Sequence, residues 1–434
     1  MVDFIEKINT IVWGPGTIIL ILFCGVYFTF ATEFLQIRNF GAVIKEVFRP
    51  ARNKASFRAL SAALAGTVGT GNIAGVATSI ALGGPGAVFW MIASSFLGMM
   101  TKYAEVVLAV KYQIKNKNGT YSGGPMYYME NGLGLRFLGI IFAFLLAVSA
   151  LGIGNMVQAN SVSEAFFKTF GISPALTGFI LILVCAKVIL GGSGKILNAT
   201  EIIVPVMAAF YLAGTLIFLA LNFSAIPSAL KLIFADAFST KSLTGGVGGF
   251  TVSKAVKYGV SRGVFTNEAG LGSSPVAHAS VYSCSPARQG LWGIFEVFFD
   301  TVIMCTLTAL VILVGGLKTD LTGYNGIELT SRAFGTIFGN CGETFITVSI
   351  FFFAVATIFG WCLYGEKAVL YLSGENKTAL KAYKILYIFA IYIGATLSLE
   401  TVWTLSDIFN GLMSIPNIVT LFLLRKQALD EKLF

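Results

Sequence analysis

The stretch Ala65-Gly66-Thr67-Val68-Gly69-Thr70-Gly71-Asn72-Ile73-Ala74-Gly75 decides the fold. It lies inside an apolar run, 57–82, that is long enough to cross a bilayer. Each glycine weakens a helix by about 1 kcal/mol relative to alanine. In lipid, an unpaired backbone group costs several kcal/mol unless something beside it supplies a partner. A helix interrupted at membrane depth therefore needs a cavity, an ion or a substrate next to the break. Close helix packing is the competing reading, because Gly71 and Gly75 have small-xxx-small spacing.

A second interrupted stretch shifts the balance. Arg262-Gly263-Val264-Phe265-Thr266-Asn267-Glu268-Ala269-Gly270-Leu271-Gly272-Ser273-Ser274-Pro275 again sets glycines, polar side chains and a proline in an apolar run, 247–282. Outward from these two, a crossing helix needs about 20 mostly apolar residues. Eleven segments qualify: 16–33, 57–82, 87–110, 137–159, 175–190, 196–221, 247–282, 291–314, 345–372, 380–397 and 402–424. The expected fold class is an all-α integral membrane protein forming one transmembrane domain over 1–434. An extra N-terminal helix and basic linker (1–55) precede two five-helix repeats, 56–221 and 246–425. Each set of five begins with its broken member, and an odd number inverts the second set relative to the first. Such an inverted repeat places a binding site at the midplane, where the breaks meet. Both connections 112–135 and 317–340 are long and contain a short helix-like stretch.

Composition agrees. Of 434 residues, 56% are hydrophobic and 12% are charged, against about 25% charged in soluble chains. The net charge of +9 reads as loop charge that fixes orientation, which argues against nucleic acid as a partner. Arg38, Lys45, Arg49, Arg52, Lys54 and Arg58 cluster between the first two segments. Further basic residues fall in 111–136, 367–384 and 425–432. All of these are cytoplasmic if the segments alternate, which places the N-terminus outside and the C-terminus inside a plasma membrane. The apolar Gly83-Gly84-Pro85-Gly86 connection carries no basic residue. Six cysteines (Cys24, Cys185, Cys284, Cys305, Cys341, Cys362) stand singly, and His278 is the sole histidine. Neither a disulfide frame nor a multi-histidine metal site is indicated. No paired acids or triad point to an enzyme.

A break can hold two kinds of ligand. The half-helix beginning there offers N–H groups to a carboxylate. The half-helix ending there offers carbonyls to Na+. Thr67, Thr70 and Asn72 add side-chain oxygens from one break, Thr266 and Asn267 from the other. Asn155 and Gln158, three apart on one helix face, point to a wall of the same cavity. Phe265 and Trp361 would crowd its side-chain space and favour a small cargo. A lone mid-segment threonine such as Thr357 ordinarily bonds back to its own helix. Of the acids Glu105, Glu201, Glu268, Glu296 and Asp300, Glu268 is the one placed to pair with Arg262 across the second break.

These residues resemble the alanine or glycine:cation symporter family over essentially the whole chain. The likeness rests on 66–75, 81–86, 102–111, Gly124-Pro125-Met126-Tyr127-Tyr128, 152–162 and 262–273. The resemblance implies a leucine-transporter-type fold and uptake of alanine or glycine driven by Na+. It implies a sodium site between carbonyls of Gly66 and Val68 and the Ala354-x-x-Thr357 segment, with a one-residue departure just before Val68. It places substrate residues on Thr67, Gly69, Thr70, Gly71, Asn72, Gln158, Phe265 and Asn267. The implied partners are a small amino acid and the bilayer, with Na+ as coupling ion, no organic cofactor, and function as a monomer. Proton coupling through Glu268, or a sensor that binds without transporting, fits the same segments.

Overall fold

The computed structural model describes residues 2–48, 54–117, 119–238, 246–282, 285–397 and 400–431. Arg49 and Arg52 of the basic cluster, Cys284 and Lys432 lie outside the described residues. Helix α1 (Val2–Val12) and α2 (Pro15–Ala31) come first, with Pro15 at the start of α2, where no N–H is needed. The basic linker is itself helical, as α3 (Leu35–Arg38) and α4 (Phe40–Val47). Helix α4 buries Val43 and Val47 and sets Phe40 edge-on against Phe298.

The first interrupted stretch is α5 (Lys54–Thr67), one 3-10 turn at Thr70–Asn72, and α6 (Ala74–Gly83). The two halves bend by 58°. Then α7 (Gly86–Lys111) leads through a two-residue hairpin, β1 (Ile114–Lys115) and β2 (Tyr121–Ser122), to α8 (Pro125–Leu133). Next, α9 (Arg136–Leu151) and α10 (Val157–Phe170) join through a wide π turn at Gly152–Met156. Helix α11 (Pro174–Leu190) starts on Ser173, whose hydroxyl accepts from Leu176 N, a side-chain N-cap. Helix α12 (Ser193–Leu221) follows. A further helix, α13 (Ile226–Ala237), fills the link between the halves.

The second half opens with α14 (Gly246–Asn267), breaks, and restarts as α15 (Pro275–His278). Helices α16 (Pro286–Val297) and α17 (Thr306–Gly316) flank a second π segment, Phe298–Cys305. After α18 (Gly326–Phe338) come α19 (Asn340–Ser373), α20 (Lys377–Thr396), α21 (Glu400–Leu423) and α22 (Arg425–Leu429). Both long connections thus hold the expected short helix, α8 and α18.

Among the described residues, seven helices are long and apolar enough to cross a membrane, or eight with the bent pair as one span. The remaining expected segments are helical but fall short for physical reasons. Helix α7 carries Lys102, Glu105 and Lys111; α14 carries Lys254, Lys257 and Arg262; α11 has 17 residues. Large apolar side chains such as Phe137, Phe144, Leu183 and Ile202 stand exposed, as a surface wetted by lipid requires. Helix α19 runs through the centre and buries Phe353, Trp361 and Tyr364.

Candidate functional site

The site is built where α5 stops. Val68 N–H makes the last regular helical bond, to Leu64 O at 2.8 Å. Beyond it the chain turns away, and the carbonyls of Ala65, Thr67 and Val68 accept no hydrogen bond among the described residues. The Gly66 carbonyl does have a donor, the Trp361 indole N–H at 3.3 Å. So the free carbonyls near Val68 begin at Ala65, one residue before the expected Gly66.

Helix α19 lies alongside. A Cβ on Gly360 would meet Gly66 N at 2.6 Å, and one on Gly69 would meet Thr357 Oγ1 at 2.5 Å. Thr357 therefore faces the break. Its hydroxyl is buried and has no hydrogen-bond partner, so the back-bond ordinarily made by such a threonine is missing. Ala354 sits fully buried one turn earlier.

The opposite wall is α10. Gln158 Oε1 accepts from the Thr70 hydroxyl at 2.9 Å and from Thr70 N–H at 3.4 Å. Its Nε2 donates to Ile153 O at 3.0 Å, in the π turn that frees that carbonyl. Trp361 Cβ presses on Gly154, where no side chain would fit. Asn155 turns away and donates to Tyr387 O. Gly71 faces the second break, since a Cβ there would lie 3.1 Å from Thr266 Cγ2 and 3.7 Å from the Phe265 ring.

Two expected substrate groups act chiefly on the protein itself. Asn72 Oδ1 accepts from Gly69 N–H at 2.9 Å, while its Nδ2 donates to Asp300 Oδ1 at 2.7 Å. Asn267 Oδ1 accepts from Ala269 N–H, and its Nδ2 donates to Thr301 Oγ1. Thr266 Oγ1 bonds back to Gly263 O, and the Thr67 hydroxyl to Ala63 O. Both asparagines pin their breaks.

The second break is held differently. Glu268 (φ 55°), Gly270 (φ 91°) and Gly272 (φ 79°) turn the chain through left-handed conformations, costly for the glutamate. The expected Arg262–Glu268 pair is not made. Glu268 accepts from Ser273 at 2.5 Å, and Arg262 lies over the Phe265 ring at 5.4 Å. A cation over an aromatic face is favourable in itself. Gly270 N–H donates to Glu105 Oε1 at 3.1 Å, and Gly270 O accepts from Asn417 Nδ2 at 2.9 Å. Asn417 also donates to Glu105 and accepts from Tyr128 of α8.

Beside this clamp, Lys102 pairs with Glu296 at 3.5 Å and donates to Ser274. Glu296 also meets His278 at 2.8 Å, and His278 meets Gln289. All are buried. Sequence reasoning had set Glu105 aside and missed Lys102 and Asn417. The available signal was a lysine three residues from a glutamate in mid-helix α7, costly in lipid unless paired. Among the described residues, no cluster of His, Cys, Asp and Glu is arranged to hold a metal.

Residues 1–432 of the 434 match the profile of the sodium:alanine symporter family. The protein belongs to that family. Within it, the sodium/alanine symporter AgcS of Methanococcus maripaludis is 44% identical, covering 99% of this chain and 96% of its own. A probable sodium/glutamine symporter, GlnT of Bacillus subtilis, is 38% identical over 96% and 87%. A putative sodium/proton-dependent alanine carrier of the same organism is 37% identical over 99% and 91%. In fold, this sodium:alanine symporter family member is similar to the crystal structure of the manganese transporter of Eremococcus coleocola. That likeness covers 86% of this chain and 78% of the other, at 12% identity and a TM-score of 0.51.

Proposed function

We propose that the protein imports a small neutral amino acid, alanine or glycine, together with Na+ by alternating access. The observation that carries this is the pairing of unmet oxygens at the first break. The carbonyls of Ala65, Thr67 and Val68 accept no hydrogen bond among the described residues, and the partnerless Thr357 hydroxyl of α19 faces the same break. Small hard cations take oxygen donors at ends of broken helices. The Na+ would sit between Val68 and Thr357, with Ala354 behind and Ala65 supplying the carbonyl first assigned to Gly66.

The amino acid would occupy the space bounded by Thr67, Gly69, Thr70, Gly71, Gln158, Phe265, Thr266 and Trp361. Its carboxylate competes with Gln158 Oε1 for the Thr70 N–H, and the released Gln158 carbonyl turns to the ammonium. Asn72 and Asn267 keep the two breaks in shape around it. Large aromatic walls, Phe265 and Trp361, would crowd the side-chain space and favour a small cargo.

The energy suffices. A tenfold Na+ gradient supplies about 1.4 kcal/mol, and one charge crossing 100 mV about 2.3 kcal/mol. Together one ion supports about 500-fold accumulation. The architecture proposed is eleven spans, one extra helix plus a 5+5 inverted repeat, in the plasma membrane with the N-terminus outside. The protein is proposed to function as a monomer.

The test is counterflow in liposomes with a panel of alanine, glycine, serine and glutamine, with and without Na+. Uptake indifferent to Na+ removes the coupling claim. Saturable binding with no flux turns the protein into a sensor. The buried acids Glu105, Glu268 and Asp300 favour a second reading, coupling to protons. A pH jump that drives uptake in the absence of Na+ selects it.

A further inference from the structure

The chain leaves α2 by a sharp corner. Glu33 (φ 52°) and Phe34 (φ 57°) are both left-handed, a conformation unfavourable for residues with a Cβ. The corner is nevertheless fixed. Phe34 N–H donates to Thr29 O at 2.8 Å, and the buried Gln36 donates to Thr29 Oγ1 at 3.1 Å. It sets the Phe34 ring edge-on against Phe30, 5.1 Å away, and Phe30 is exposed on the membrane-crossing α2. Beyond the corner, Ile37 and Arg38 of α3 are exposed. On α4, Gly41, Lys45 and Phe48 recur at helical spacing and form the exposed face, turned away from the buried Val43 and Val47. Ile37 is 59% exposed and Phe48 69%, although both belong to a linker between spans.

Apolar and basic side chains interleaved in this way fit a bilayer interface, where rings and aliphatic chains enter the headgroup layer and cations meet phosphates. The contact with Phe30 decides for lipid over a soluble protein, because it joins the patch to the flank of a span, where the leaflet already lies. Arg38 pairs with Glu33, but both are exposed, so the pair is weak and a headgroup phosphate can take the place of the carboxylate.

The other face of the linker reaches the site. Phe40 packs edge-on against Phe298 at 4.8 Å, and Phe48 against Phe295 at 6.1 Å. Phe298 opens the π segment that carries Asp300. Asp300 accepts from Asn72 Nδ2, and Asn72 Oδ1 accepts from Gly69 N–H. Through these contacts α4 bears on the first break.

We infer that the linker 33–48 is a docking surface for anionic phospholipid, with phosphates on Arg38 and Lys45 and with Phe34, Ile37 and Phe48 in the headgroup layer. Lipid seated there holds α4 against the π segment that shapes the first break. The inference rests on the transport reading for its functional readout, and the proposed orientation makes the leaflet the cytoplasmic one.

The experiment places a bimane label on Ile37→Cys in a Cys284→Ser, Cys341→Ser background. The full-length protein is reconstituted in phosphatidylcholine vesicles with increasing phosphatidylglycerol. Brominated phosphatidylglycerol should quench the label more than the same fraction of brominated phosphatidylcholine, and millimolar inorganic phosphate should not relieve the quenching. Alanine uptake in the same vesicles should rise in parallel with phosphatidylglycerol. Each basic residue near an anionic surface contributes about fivefold to lipid affinity. Arg38→Gln combined with Lys45→Gln should therefore weaken the preference by about 25-fold and flatten the uptake response, with unchanged thermal unfolding in phosphatidylcholine alone. Phe40→Leu, which loses the ring contact to Phe298, should keep the lipid preference and lose the uptake response. Equal quenching by the two lipids, relief by inorganic phosphate, or uptake indifferent to phosphatidylglycerol overturns the inference and leaves transport standing. A lipid preference that the double variant abolishes, with no uptake in any vesicle, sinks the transport reading and leaves the docking surface standing.

Discussion

Thr357→Val is the substitution that separates an ion ligand from a structural hydroxyl. Valine keeps the β-branched shape and replaces Oγ1 by a methyl group. A structural threonine bonded to its own helix would lose about 1 kcal/mol of stability on this change. Here Oγ1 is buried without a partner, so in Na+-free buffer the variant loses no bond and sheds an unmet polar group. Such a group costs about 1–3 kcal/mol. The Na+-free variant should therefore unfold at the same temperature or higher. With Na+ the sign reverses. Losing one contact to a charge costs about 1.5–3 kcal/mol, which raises the Na+ concentration for half-maximal uptake by about 10- to 150-fold. Thermal unfolding without Na+ and uptake against external Na+ at fixed potential read the two arms. Thr357→Ser keeps the oxygen and should keep Na+ dependence. A destabilised Na+-free Thr357→Val protein with unchanged Na+ dependence refutes the reasoning.

Gly69→Ala should abolish uptake while the chain still folds, because its Cβ would sit 2.5 Å from Thr357 Oγ1; normal uptake would show that the break has room to spare. Lys102→Met leaves Glu296 buried with its lysine partner gone and should cost about 3–5 kcal/mol in chemical unfolding. Adding Glu296→Gln should recover at least half of that loss, and equal costs for single and double variants would dissolve the pair. Asn417→Ala strands Gly270 O, Glu105 and Tyr128 together and should cost about 2–5 kcal/mol by the same measurement. Cys341 is an exposed free thiol at the start of α19. In a Cys284→Ser background, an impermeant maleimide should label it on intact cells. Labelling only after permeabilisation would invert the proposed orientation.

The fold was legible where composition and periodicity act alone. Every expected apolar segment is helical, because an apolar run in lipid has no other way to pair its backbone. The breaks were legible too, as glycine at 66–75 and 263–272 has no business in an undisturbed apolar helix. Pairings across the fold were not. Nothing local in Asn417 announces that it meets Gly270, 147 positions away. Arg262 and Glu268 are six apart, which suggested a pair, yet the left-handed turn at Glu268 points the carboxylate at Ser273 instead. Helices α13 and α4 were hidden because short amphipathic pieces lack the length that marks a span.

The two breaks answer the same backbone problem in opposite ways, and that difference assigns their tasks. At the second, the protein supplies the missing partners itself: Glu105 takes the Gly270 N–H, Asn417 the Gly270 carbonyl, and Asn267 the Ala269 N–H. These partners reach it from α7, α21 and its own chain, and Asn417 extends the connection to α8 through Tyr128. Gly270 is held on both its N–H and its carbonyl by side chains of other helices, and moving it means moving those helices with it. At the first break Gly69 N–H is met by Asn72 and Thr70 N–H by Gln158, while carbonyl oxygens and the Thr357 hydroxyl go unmet. Those unmet oxygens are a deficit of positive charge. A cation arriving at the first break removes a cost that the protein carries without it.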